Sequence, residues 1–114
     1  MNYEIVTTDY FDKQVKTLSK KYRSLPNDLD VFKKELLKNP LIGDDLGNNT
    51  RKVRMAIASK NKGKSGGARV ITCNMLVDVE NAEIYLLTIY DKGEQDTISK
   101  GDIQHLKTIS GLIQ

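Results

Sequence analysis

The sequence predicts an α+β domain: an antiparallel β-sheet backed by a helical hairpin and closed by a C-terminal helix, in the order β-α-α-β-β-β-α. Three observations predict it. Apolar residues recur at helical spacing through the first forty positions and again at the end of the chain. Between them the period changes to two, as a half-buried strand requires. The three later strands are joined by stretches too short for crossover helices, so those strands run antiparallel. At 114 residues the chain is expected to be a single domain, 1–114.

Each element has its own signal. Tyr3 to Thr7 is short and β-prone, and Thr8 or Asp9 can cap the helix after it. Phe11, Val15, Leu18 and Tyr22 form that helix's apolar stripe, and its lysines lie on the other side and at its end, where cations suit the dipole. Ser24, Leu25 and Pro26 stop it and start the next helix, since proline fits a first turn. Leu29, Phe32 and Leu36 make the second stripe, and Asn39-Pro40 ends it. The short joint between the two predicts a helical hairpin.

Residues 41–50, LIGDDLGNNT, read as a loop. Val53, Met55 and Ile57 then alternate with Lys52, Arg54 and Ala56, which predicts one apolar and one basic strand face. Ser59 to Gly67 is polar and glycine-rich, a loop or hairpin tip. Arg69 to Val77 is a strand with little alternation, so partial burial on both faces is expected. Asp78 to Ala82 turns the chain, and Ile84 to Tyr90 is the candidate central strand. Ser99 caps a last helix, with Asp102 three residues on and Ile98 and Ile103 placed as a hydrophobic staple. Ile103, Leu106, Ile109 and Ile113 are its stripe. The helices are expected on one face of the sheet, leaving the face with Lys52 and Arg54 open to a ligand.

Charge is unevenly spread. Arg51 to Arg69, RKVRMAIASKNKGKSGGAR, holds seven basic residues and no acid, while the net charge of the chain is only +3. A basic segment in a mildly acidic body reads as a surface for phosphates. Cys73 is the only cysteine, which excludes an internal disulfide and a two-thiol chemistry. No stretch approaches the ~18 apolar residues of a membrane span, and MNYEIVTTDYF has no signal-peptide pattern. A cytoplasmic location without membrane attachment is the expectation.

Two apparent motifs carry no chemistry. Ala58 to Ser65, ASKNKGKS, matches a loose phosphate-loop pattern, but a working phosphate loop opens a helix, and here GGARVIT continues as strand. His105, the lone histidine, stands among Gln104, Leu106 and Lys107 with no metal-spaced or acid/base partner. No metal or cofactor is predicted.

The basic strand and its glycine-rich loop are different. Lys52 and Arg54 share a strand face, so their charges point one way. Gly63, Gly66 and Gly67 would let a backbone approach phosphate closely. Tyr90 and Lys92 close the central strand and would join Arg54 and Arg69 if the strands are neighbours. A tyrosine near cations can stack on a base or serve in proton transfer.

TRKVRMAIASKNKGKSGGARVI followed by IYLLTIYDKGEQDTIS resembles the RelE superfamily of bacterial toxins, and within it the HigB-like branch of type II toxin–antitoxin systems. The marks are the R-K-V-R strand, the G-K-x-G-G-x-R hairpin and the Y-x-K-x-E strand end, with the K-N-P-x-x-G element ahead of them. The resemblance implies an endoribonuclease, an mRNA interferase that cuts mRNA in the ribosomal A site and arrests translation. Its implied partners are mRNA, rRNA and a cognate antitoxin, a helix-turn-helix protein of HigA type. Operator DNA would be met only through the antitoxin complex.

Metal-independent cleavage by the adjacent 2′-OH passes through a dianionic transition state, which preorganised cations stabilise. The products are a 2′,3′-cyclic phosphate and a 5′-OH. On the resemblance, Lys52, Arg54, Arg69, Tyr90 and Lys92 are the catalytic candidates. Arg54 and Arg69 would meet the transition-state charge, Lys52 would be a base, and Lys92 or Tyr90 the acid. Arg51, Lys60, Lys62 and Lys64 would grip RNA. Removal of Arg69 is expected to abolish toxicity at little cost in stability. Two alternatives share the sequence features: a ParE-type relative that inhibits DNA gyrase and cleaves nothing, and a non-catalytic nucleic-acid-binding module.

Overall fold

A computed structural model describes residues 1–112. Among these residues the chain forms a five-stranded mixed sheet and three α-helices: β1 (Asn2–Thr7), α1 (Asp9–Lys21), α2 (Leu25–Lys38), β2 (Asp44–Gly47), β3 (Thr50–Met55), β4 (Ala68–Leu76), β5 (Asn81–Asp91) and α3 (Lys100–Ile109). The α+β class therefore holds, and the sheet order is β1-β5-β4-β3-β2.

Local signals act as the sequence implies. Thr8 caps α1, its hydroxyl accepting from the Phe11 N–H at 3.1 Å. Ser99 caps α3, accepting from the Asp102 N–H at 3.0 Å. The stripes of α1 and α2 meet Val53, Met55, Ile57, Val70, Ile84, Leu86 and Ile89 in one large core. Ile103 and Leu106 of α3 are buried, Ile109 is exposed, and Ile113 lies outside the described residues.

Three expectations change. The sheet is mixed rather than antiparallel, because β1 runs parallel to β5, from Asn2 opposite Asn81 to Thr7 opposite Leu86. The helical hairpin lies between β1 and the rest of the sheet, and such a crossover permits parallel placement. Residues 41–50 are not all loop. Asp44–Gly47 adds an edge strand to β3 through a hairpin whose tip residues Asn48 and Asn49 both take positive φ, 52° and 59°. Asparagine tolerates that geometry, which is what a tight two-residue hairpin needs. The strand escapes pattern reading because it is short and polar, with Leu46 alone partly buried.

The third change concerns layers. α1 and α2 cover one face, whereas α3 packs on the other, where Ile103 joins Ile71, Cys73, Leu87 and Tyr90 in a second core. The weak alternation of β4 is the cause: Ala68 to Cys73 are all buried, so both faces of that strand need cover. The basic face is thus only partly open. No helix among the described residues is long and apolar enough to cross a membrane.

Candidate functional site

Sheet register sets Arg54, Arg69 and Tyr90 abreast. Arg54 of β3 pairs with Arg69 of β4, and Arg69 pairs with Tyr90 of β5. Directly opposed residues share a sheet face, with Cβ atoms ~4.5–5.5 Å apart. The row on the same face two residues along is Lys52, Ile71 and Thr88. The intervening row, Val53, Val70 and Ile89, points into the larger core. The period-two alternation of β3 therefore places Lys52 and Arg54 on the face where Arg69 and Tyr90 lie.

Lys92 joins this group from just beyond β5. Its N–H donates to the Gly67 carbonyl at 3.0 Å, which keeps the chain beside β4 after the strand ends. Its ammonium is ion-paired with Asp96, four residues on. The Asp96 carboxyl is held below the usual carboxylate range, first by the Lys92 hydrogen bond and charge, then by the charges of Lys52 and Arg69. Asp96 thus sits within the fields of three of the expected site cations. It is missing from the sequence-level candidates. The one available signal was its i, i+4 spacing from Lys92.

Tyr90 is buried, and its hydroxyl has no hydrogen-bond partner among the described residues. Burial pushes its phenol above the ordinary value. The Arg69 charge acts against that shift, and the Asp96 charge adds to it. An arginine and a carboxylate thus act on a phenol that hydrogen-bonds to neither.

Arg69 is not the free clamp that the sequence suggests. It is 6 % exposed, and its guanidinium donates to three carbonyls: Lys64 at 3.2 Å, Ala68 at 3.1 Å and Ser65 at 3.0 Å. It pins the glycine-rich loop to the start of β4 while keeping its charge on the site face. The expectation that its removal costs little stability is therefore revised.

The basic loop divides into separate roles. Lys60, expected to grip RNA, is largely buried and ion-paired with Asp91 at 2.6 Å. Lys64 pairs with Glu35 of α2 at 2.7 Å. Arg51 donates to the Ile42 carbonyl at 3.1 Å and the Gly43 carbonyl at 2.8 Å, holding the segment that leads into β2. Lys62 is exposed. Gly67 serves a backbone crossing rather than a ligand, because a Cβ there would lie 2.1 Å from the Met55 carbonyl oxygen. The phosphate-loop lookalike makes one turn of 3-10 helix at Ala58–Lys60 and then leads into β4, so no helix N-terminus faces a phosphate.

A second polar cluster supports this site from behind. Asp91, 3 % exposed, accepts from Lys60, from the Tyr22 hydroxyl and from the Gly93 N–H. Burial alone would raise its carboxyl. Those three hydrogen bonds and the Lys60 charge outweigh it and bring the group down to about 2. Asp91 thereby ties the end of β5 to α1 and to the basic loop.

The site is a cationic sheet face with one phenol at its floor and one carboxylate among its charges. Its cations are supplied by three separate segments, β3, β4 and the chain just beyond β5. No protein-family model matches this chain.

Proposed function

We propose that this chain is the toxin of a type II toxin–antitoxin system, a RelE-superfamily protein of the HigB-like branch that cleaves mRNA on the ribosome. The observation that carries the reading is the cross-strand row Arg54–Arg69–Tyr90, with Lys52 beside it and Lys92 acting on the same Asp96 carboxylate as Lys52 and Arg69. A protein that only packs its core has no need to line up like charges on neighbouring strands, where they repel. On this reading the element order is the RelE order with the short edge strand β2 added.

In the proposed reaction the RNA 2′-oxygen attacks its own 3′-phosphorus. The P–O5′ bond breaks, leaving a 2′,3′-cyclic phosphate and a 5′-hydroxyl. Arg54 meets the charge on the equatorial oxygens, and Arg69 supports it from below through its field. Lys52 accepts the 2′-proton as the neutral amine, having first given up its own ammonium proton to solvent, and Lys92 or Tyr90 gives one to the leaving oxygen. The ribosome supplies the alignment of message and nucleophile, so cleavage of naked RNA is slow. The HigA-type antitoxin blocks the toxin, and operator DNA is contacted through that complex.

Two observations favour a second reading. The Tyr90 hydroxyl is covered and Arg69 is committed to three carbonyls, so a non-cleaving RelE-fold toxin of ParE type is the alternative. Induction in bacteria separates the two. Translation arrest with new mRNA 5′ ends inside codons is the expected result. An SOS response with intact messages would replace the nuclease with a gyrase inhibitor.

A further inference from the structure

We propose that the Asp96 carboxylate is an internal placeholder for the scissile phosphodiester, which must displace it from Lys92 in order to bind. The inference deepens the nuclease reading and rests on it.

Asp96 lies in KGEQDTIS, the connection between β5 and α3. Among the described residues its side chain makes one contact with protein, the ion pair with Lys92, and it is otherwise open to solvent. Nothing in the fold requires a carboxylate there. The local turn is held by other groups: Asp91 accepts from the Gly93 N–H at 2.9 Å through its side chain, and from the Glu94 and Gln95 N–H groups through its carbonyl. Ile98 anchors the far end against the core that contains Tyr90.

Its surroundings are those of an anion site. Lys92 contacts it directly. Lys52 and Arg69 stand on one sheet face, on β3 and β4, and their charges help to hold the carboxyl below its usual range. The buried Tyr90 hydroxyl, under the field of the same carboxylate, has no partner. A phosphodiester in place of the carboxylate carries the same single charge in the ground state and gains a second as the transition state forms, so the same cations favour it where the reaction needs them. The ion pair that holds Asp96 is exposed and spans one short turn, so displacement is easy.

The test uses the full chain and a 2′-O-methyl oligoribonucleotide, which has the phosphates of RNA but cannot be cleaved. Its affinity is measured by fluorescence anisotropy at one low salt concentration for the parent, for Asp96→Asn and for Glu80→Gln. Glu80 sits in the turn between β4 and β5, and its substitution changes net charge by the same amount. Asp96→Asn is expected to bind about two- to fivefold more tightly than Glu80→Gln, the worth of one exposed ion pair. Inorganic phosphate should compete at correspondingly lower concentration. Equal gains in both variants would mean a general charge effect and overturn the proposal. Weaker binding by Asp96→Asn would make the carboxylate part of the binding site and overturn it equally. If no form of the protein binds the oligonucleotide, the nucleic-acid reading itself fails. Binding by all forms without the Asp96 gain sinks the placeholder alone.

Discussion

Lys60 Nζ lies 2.6 Å from Asp91 Oδ1, with side chains 11 % and 1 % exposed. The pair joins the basic loop to the end of β5, which lies between β1 and β4 while β4 takes the centre of the sheet, and the hydroxyl of Tyr22, the C-cap of α1, completes it. Arg69 and Tyr90 stand on the strands that this junction holds together. The network is a scaffold for the cationic face.

Asp91 makes stability depend on acid. Its folded value of about 2 lies below the ~3.9 of an ordinary aspartate, so its contribution is fully present above about pH 4 and is lost as pH falls through about 2. The contribution is about 2–3 kcal/mol. Urea unfolding from pH 7 to pH 2 should show Asp91→Asn less stable than the parent at neutral pH, by about 3–5 kcal/mol because Lys60 is left unpaired. The gap should narrow below pH 4. A gap that does not change with pH would remove Asp91 as its source.

Arg54 and Arg69 separate function from folding. Arg54 is exposed and donates no hydrogen bond among the described residues. Arg54→Ala should abolish growth arrest on induction while leaving stability within about 0.5 kcal/mol. Full toxicity in that variant would misplace the site.

Arg69→Ala should lose toxicity and also about 2–4 kcal/mol, since three carbonyls lose a charged donor. Arg69→Lys keeps the charge without the fork and should recover part of the toxicity but little of the stability. Denaturant midpoints and plating efficiency read the two effects independently. An Arg69→Ala protein as stable as the parent would contradict the pinning role.

Tyr90→Phe removes a hydroxyl that has no partner. Stability should stay level or rise by up to about 1 kcal/mol. If the hydroxyl moves a proton in the reaction, single-turnover cleavage on programmed ribosomes should fall by about 10²–10⁴. Unchanged cleavage would leave Lys92 as the acid.

Much of the fold was legible because local physics wrote it. Thr8 and Ser99 cap where their spacing implied, and the stripes of α1 and α2 are buried as their periodicity required. The alternation of Val53 and Met55 with Lys52 and Arg54 set those residues on opposite faces before any neighbour was known. β2 was hidden because an edge strand of four residues with one half-buried side chain has no periodic signal.

The side of the sheet that α3 covers, the parallel entry of β1 and the fates of the individual lysines belong to another level. Composition made Arg51–Arg69 basic, but only long-range pairing decided that Lys60 meets Asp91 across 31 residues, that Lys64 meets Glu35 and that Arg69 feeds loop carbonyls. Asp96 is the sharpest case: one acid in a polar connection, paired with Lys92 of the same connection and within the fields of Lys52 on β3 and Arg69 on β4. A helix cap or a strand face depends on residues a few positions apart, so it can be read along the chain. The electrostatics of a site depend on which strands become neighbours, and that is settled only when the sheet assembles.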